Sequence, residues 1–263
     1  MNIWAVANQK GGVGKTTSAV SLAGVLDNRH ARVLLVDLDP HGSLTTYFGA
    51  DPDHIEHSGY DLFLQTADVH AVIRKTKYEY IHFIPASSAL ATLDRQLGAK
   101  DGMGLVIKKS LEQVSADYDY VILDCPPMLG LLMVNALAAC ERLIIPVQTE
   151  FLALKGLERM VNTLNMIQKA RKQNIIQTIV PTFFDQRLNA STETLKILRN
   201  IYSKTIWDGL IPIDTQFRDA SANGIPLTIE RPSCRGSRAY SGLLDYLLGE
   251  NKLANAVTED NAL

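Results

Sequence analysis

A doubly wound α/β fold, with a mostly parallel sheet and helices on both faces, is predicted by three features of the chain. Short apolar runs rich in β-branched residues alternate with stretches of helical periodicity. The runs are near-continuous in hydrophobicity, which means strands buried on both faces, as in a parallel sheet. Two of them end in aspartate, Asp37 and Asp124, and strand ends of open parallel sheets face the ligand crevice.

The elements follow in order. Ile3-Trp4-Ala5-Val6-Ala7 reads as the first strand, and Lys15 to Leu26 as the helix after a glycine loop. Val33 to Asp37, Ile81 to Pro85, Tyr120 to Asp124, Leu143 to Val147 and Ile175 to Pro181 are the later strands. From Lys155 to Arg171, Leu157, Met160, Val161, Leu164 and Ile167 share one face of a helix. Thr192 to Tyr202 and Ser237 to Leu248 are the remaining helices. No repeat or linker divides residues 1–250, so they read as one domain, and the polar stretch 251–263 reads as a flexible tail.

Composition narrows the function classes. The chain has 263 residues, 46% hydrophobic and 21% charged, with a formal net charge of −2, which fits a globular protein. That balance does not advertise a nucleic-acid binder, although a local basic patch remains open. Cys125, Cys140 and Cys234 form no CxxC pair, so neither a zinc site nor a disulfide framework is indicated. No uncharged run reaches the ~20 apolar residues of a membrane span, and no signal peptide is visible. The expectation is a cytoplasmic protein with no membrane insertion.

The strongest chemical signal is Asn8-Gln9-Lys10-Gly11-Gly12-Val13-Gly14-Lys15-Thr16-Thr17. It lies between a strand and a helix, the setting a phosphate-binding loop requires. Glycines let the backbone wrap a phosphate closely, with N–H groups pointing inward. The helix starting at Lys15 adds its N-terminal dipole. Lys15 can reach the β- and γ-phosphates, and the Thr16 hydroxyl can ligate Mg²⁺. The strict G-x-x-x-x-G-K-T pattern fails at its first position, which is Gln9. Lys10 is a second cation inside the loop. Asp124 ends an apolar run and would hold Mg²⁺ through water. Asp37 and Asp39 end another; buried carboxylates there are costly unless they serve a cation or a proton transfer. For Asp37 the alternative is capping a helix from Ser43 onward.

The string Lys10 to Thr17, KGGVGKTT, resembles the deviant Walker A loop of the ParA/MinD family of ATPases. The resemblance runs from Met1 to about Leu248 and implies a P-loop NTPase fold with Mg²⁺ and ATP or ADP as ligands. Residues Lys10, Gly11, Gly12, Val13, Gly14, Lys15, Thr16 and Thr17 would hold the nucleotide. It implies that Lys10 reaches the partner's ATP across an ATP-dependent sandwich homodimer. Asp39 would organise the attacking water, so Lys10, Lys15 and Asp39 are the catalytic candidates. Thr16, Asp37, Asp39 and Asp124 are the metal candidates, with Asp37 in a supporting role. Pro181 to Asp185 and Ile211 to Asp214 match positions that flank the adenine in the family; Pro212 and Asp214 are the base candidates, with ordinary loop residues as the alternative.

Several stretches, including Val36 to Leu44 with His41 where partition proteins usually carry glutamine, look like the ParC subgroup encoded with chemotaxis genes. That likeness implies a role in placing chemoreceptor arrays at a cell pole, with an adaptor such as ParP and a polar landmark protein as partners. The other reading is DNA partition, with non-specific DNA held by surface cations. Partition proteins are usually basic just after the residues matching Ile211-Pro212. Here only Arg218 is basic, beside Asp214 and Asp219. Lys169, Arg171, Lys172, Arg187, Lys196 and Arg199 are the other cationic candidates, or simply a solvated face. A basic membrane-targeting C-terminal helix is not evident, since Lys252 is accompanied by Glu259 and Asp260. Cys125 and Cys140 are not spaced to hold an iron–sulfur cluster across a dimer.

Overall fold

The computed structural model describes residues 1–98, 100–171 and 174–260, side chains being described outside 170–171 and 250–260. The described residues form one sheet of seven strands. These are β1 (Asn2–Val6), β2 (Val33–Asp37), β3 (Arg74–Lys75), β4 (Ile81–Ile84), β5 (Tyr120–Asp124), β6 (Arg142–Gln148) and β7 (Ile176–Thr182). Their order is β3-β4-β2-β5-β1-β6-β7. All neighbours pair in parallel except the short β3 edge, which runs antiparallel to β4. Each strand expected from the sequence is present, shifted by no more than one residue at either end. β3 gave no signal because it is two charged residues long.

The helices are α1 (Lys15–Asp27), α2 (Ser43–Tyr47), α3 (Gly59–Leu64), α4 (Val69–Val72), α5 (Leu93–Leu97) and α6 (Val106–Gln113). After them come α7 (Leu131–Ala139), α8 (Phe151–Arg171), α9 (Asn189–Ile201), α10 (Gln216–Asn223), α11 (Leu227–Glu230) and α12 (Arg235–Asp260). α8 starts one turn before Lys155; Phe151 and Leu152 are exposed there and lie off the apolar face that marked the helix, so the periodicity did not reveal this turn. α12 continues past Leu248 to Asp260 through most of the stretch expected as a tail. Residues 261–263 of that stretch, and Lys172 among the cationic candidates, lie outside the described residues.

Strand periodicity divides the core in two. Ala5, Leu34, Val36, Val121, Leu123, Leu143 and Ile145 point to one face, where α3 to α9 pack. Trp4, Val6, Val33, Leu35, Ile122 and Ile144 point to the other, against α1, α2 and α12. Alternate side chains of a strand face opposite sides of the sheet, so apolar residues at both parities require helices on both. Arg142, itself fully buried, donates to Thr178 Oγ1 (2.9 Å) and to the Leu247 carbonyl (3.4 Å), fastening α12 to the sheet. No described helix is long and apolar enough to cross a membrane.

α1 is the central helix of the second face, buried from Ser18 through Leu26. Gly24 permits its close contact with α11: a Cβ there would lie 2.2 Å from Thr228 Oγ1 and 2.9 Å from Pro226 Cβ. Thr228 Oγ1 cannot swing away freely, because it donates to Ser21 O at 3.0 Å. Overpacking of this kind costs about 1–3 kcal/mol. Gly24→Val should therefore lower the urea midpoint with an unchanged m value; a parent-like midpoint would contradict the tight seam.

Candidate functional site

β1 ends and the chain turns through residues 8–14 into α1 at the C-terminal edge of the sheet. Gly12 (φ 71°) and Gly14 (φ 90°) take left-handed backbone, which side chains disfavour. Asn8 anchors the turn, donating to Pro146 O (2.8 Å) and accepting from the Lys10 N–H (3.1 Å). Gln148 Nε2 donates to Gly12 O (3.0 Å) and Thr182 Oγ1 to Val13 O (3.0 Å). Two loop carbonyls are thereby held against β6 and β7. The N–H groups of Gly11, Gly12, Val13 and Gly14 find no acceptor among the described residues. A run of free N–H groups at a helix N-terminus is an anion cradle.

Lys15 is 8% exposed and its Nζ donates to Lys10 O at 3.2 Å, so its charge is held within the loop. Lys10 points elsewhere, bonding Gln148 Oε1 (2.9 Å) and pairing with Glu150. Gln9 donates to Thr163 Oγ1 on α8 (2.8 Å). Where the strict motif has glycine, this chain thus has a side chain that ties the loop to its neighbouring helix.

The acidic end of the site is built by register. Asp37 and Asp124 stand opposite each other at the ends of β2 and β5, and both are buried. Asp37 Oδ2 accepts from Thr45 N (2.8 Å) and Thr45 Oγ1 (2.7 Å), and Oδ1 from Asp39 N (3.1 Å). Asp37 thus accepts from an N–H in the first turn of α2 while lying beside Asp124. Thr16 Oγ1 donates to Asp124 Oδ2 at 2.6 Å, whereas the buried Asp124 Oδ1 has no partner among the described residues. Burial pushes Asp37 up to about 6, against the opposing hydrogen bonds from Thr45 and Asp39. Burial first, and then the neighbouring Asp37, raises Asp124 well above the ordinary carboxylate range. Asp39 Oδ1 accepts from the His41 N–H (3.0 Å) and lies 2.9 Å from His41 Nδ1.

These groups suit a hydrated divalent cation. Among the described residues no cluster of three or more His, Cys, Asp or Glu could enclose a metal. Mg²⁺ does not need one: it takes one or two protein ligands and completes its octahedron with phosphate oxygens and water. An orphaned carboxylate oxygen beside a hydroxyl, next to free N–H groups, matches that pattern.

The loop opens into a cleft of about 1110 Å³. Gly11, Gly12, Gly14, Lys15, Thr16, Thr17, Asp39, Pro212 and Asp214 line it together, so the loop, switch and base candidates converge on one space. Asp214 is already engaged, its carboxylate accepting from Gln216 N (3.1 Å), Gln216 Nε2 (3.2 Å) and Gly236 N (3.2 Å). Val13 is buried below the cleft, and Asp37 and Asp124 stand behind Thr16. Sequence reasoning missed Gln148 and Thr45, and it placed Thr182 and Phe183 only in a stretch expected near the base. Gln148 and Thr182 were detectable as polar ends of apolar strands; they face each other in register. Phe183 carries φ 53° and sets its ring against Gly14, and nothing local in the sequence marks that.

A family model described as AAA domain matches residues 1–177. The chain is 37% identical over 92% of its length to the sporulation initiation inhibitor protein Soj of Bacillus subtilis, covering 96% of it. The chain belongs to the ParA/MinD family of P-loop ATPases. It is 34% identical to the chromosome partitioning protein ParA of Caulobacter vibrioides, over 96% of each. Among solved structures it resembles a Mycobacterium smegmatis cobyrinic acid a,c-diamide synthase with bound ADP and magnesium. That match has a TM-score of 0.83 and 32% identity, over 95% of each chain.

The buried carboxylates give this chain a pH signature. A folded-state pKa above the unfolded one, as for Asp37, stabilises the fold at low pH and loses that contribution as pH rises through about 6. Without metal or nucleotide, the parent should gain stability from about pH 7 to about pH 5, and Asp37→Asn should flatten that gain. Urea titrations at the two pH values check this; equal pH slopes for parent and variant would contradict it.

Proposed function

We propose that this chain is a Mg-ATP-dependent switch that hydrolyses ATP slowly to ADP and phosphate, dimerises on ATP, and positions cellular cargo. The observation that carries the reading is the loop itself. Among the described residues four successive N–H groups find no acceptor while the Gly12 and Val13 carbonyls are tied back, beside the orphaned oxygen of Asp124. The M. smegmatis relative holds ADP and magnesium, which supports the same ligands here. Thr16 and Asp124 would hold the Mg²⁺, Asp37 backing Asp124 and Asp39 standing nearer the attacking water. The bound ion would neutralise developing phosphate charge. Lys15 would hold the β- and γ-phosphates, and Asp39 would orient the attacking water. With no stronger base beside it, slow turnover is expected.

Exposed apolar side chains support dimerisation. Met128 (77% exposed), Phe151 (68%) and Leu152 (74%) follow β5 and β6 at the cleft end of the sheet. Phe183 and Ile213, also exposed, line the cleft. Apolar groups gathered at one end of a protein mark an association surface. Lys10, held only by partly exposed partners, would exchange them for the partner's ATP.

Two cargoes remain in view. The name of the Caulobacter chromosome partitioning relative favours chromosome or plasmid partition on non-specific DNA. A protein cargo, polar chemotaxis arrays reached through an adaptor such as ParP and a polar landmark, is favoured by the surface charge. Asp214 stands where partition proteins are basic. Arg187 is engaged by Asp185, Lys196 by Glu193, and Arg199 by the Asp208 carbonyl, which leaves fewer cations for phosphates.

With ATP and magnesium, Asp39→Ala should accumulate as a dimer in size-exclusion chromatography while its hydrolysis falls by about tenfold or more; a purely monomeric variant would contradict the switch. On the protein-cargo reading, ATP-bound protein should show no salt-dependent DNA binding. A steep fall of DNA affinity with salt would instead identify partition, since phosphate contacts release counterions.

A further inference from the structure

We propose that Arg218 is a phosphate ligand of the nucleotide cleft, closing from α10 onto the polyphosphate of a bound nucleoside di- or triphosphate. The inference rests on the nucleotide reading of the cleft and extends it to a residue whose sequence context suggested DNA instead. Thr215, Phe217, Arg218 and Ser221 all line the cleft. The spacing places them on one side of α10, residues three and four apart being neighbours on a helix. The opposite side is held by the fully buried Ala220.

α10 is fixed at both ends, so its cleft face is a rigid wall. At its start Asp214 bonds Gln216 and the Gly236 N–H that opens α12. Phe217 packs edge-on against Tyr240, with ring centroids 5.7 Å apart. At its end Gly224 takes left-handed backbone (φ 62°), with Tyr47 O 2.7 Å from where a Cβ would sit. Tyr47 OH donates to Ile225 O at 2.8 Å. Tyr47 belongs to α2, which leads from Asp39, so α10 joins the loop of Pro212 and Asp214 to the switch segment.

On this wall Arg218 is the cation without a local partner. Arg231 donates to Gln216 Oε1 and Arg235 to Ile213 O. Lys15 is turned onto its own loop. The Arg218 guanidinium makes no ion pair or side-chain hydrogen bond among the described residues, only its backbone being engaged. A planar fork of donors matches the oxygens of phosphate or carboxylate, and of these the glycine loop in the same cleft calls for phosphate. A cleft of about 1110 Å³ exceeds the usual range of small-molecule sites and leaves room for a whole nucleotide with Arg218 along its flank. Arg218 shares the cleft lining with the base candidates and with Thr46 and Tyr47, so a nucleotide anchored on the glycine loop would extend along the wall that carries it.

Calorimetric titration of the full chain with Mg-ATP and Mg-ADP tests this in R218A, R218K and K15A, with unfolding temperatures to verify the fold. R218A should weaken both nucleotides by about tenfold or more, and R218K should recover part of the loss, since a charged hydrogen bond to phosphate is removed and then partly restored. Nucleotide affinities within about twofold of the parent in R218A, beside a lost affinity in K15A, overturn the role of Arg218 and leave the cleft standing. Parent-like affinities in both variants overturn the nucleotide reading as well. An R218A protein that binds nucleotide normally but loses DNA would assign the guanidinium to an outer polyanion surface, against the proposal.

Discussion

The constraint on which the site depends is the placing of Asp37 and Asp124 side by side at the ends of adjacent strands. Two buried carboxylates in register repel each other and have lost their water. The fold answers only part of that cost. Thr45 supplies two hydrogen bonds to Asp37, and Thr16 one to Asp124. Asp124 Oδ1 is left with none. A protein keeps such an atom where a cation or a proton has work to do, and the neighbouring free N–H groups indicate an anion to accompany the cation.

The remaining architecture holds that arrangement in place. Parallel pairing of β2, β5, β1 and β6 brings their C-terminal ends to one edge, so the glycine loop and both carboxylates share a crevice. Gln148 and Thr182, at the ends of β6 and β7, pull the loop's carbonyls outward and thereby aim its N–H groups inward. The same edge carries Met128, Phe151, Leu152 and Phe183, apolar groups left in water. Chemistry and association surface thus emerge from one end of one sheet. Through Tyr47 and Gly224, the switch helix and the α10 wall move or stay together.

The sheet was legible because its strands are buried on both faces and read as unbroken apolar runs. Where that burial is lacking the pattern fails: it did not show β3, an edge pair of charged residues, or the first turn of α8, whose Phe151 and Leu152 face solvent. Of the site, the glycine loop, Thr16 and the strand-end aspartates were legible, because close approach to a phosphate demands glycine at fixed spacing. For Asp37 the sequence left a metal-supporting role and the capping of a helix open; that it bonds Thr45 and also neighbours Asp124 depends on register between segments far apart in the chain. Gln148, Thr182 and Arg218 act through tertiary position. Arg218 in particular read as a surface cation, because nothing in its neighbours reveals that α10 turns it to the cleft.

The central claim is that the strand-end carboxylates and the glycine loop together hold a metal–triphosphate pair. The most direct measurement is a calorimetric titration of ATP into the metal-free parent protein, with magnesium and then with chelator. The account predicts saturable uptake with magnesium and an affinity weakened by about tenfold or more without it. Equal affinity under both conditions, or no uptake in either, would contradict it.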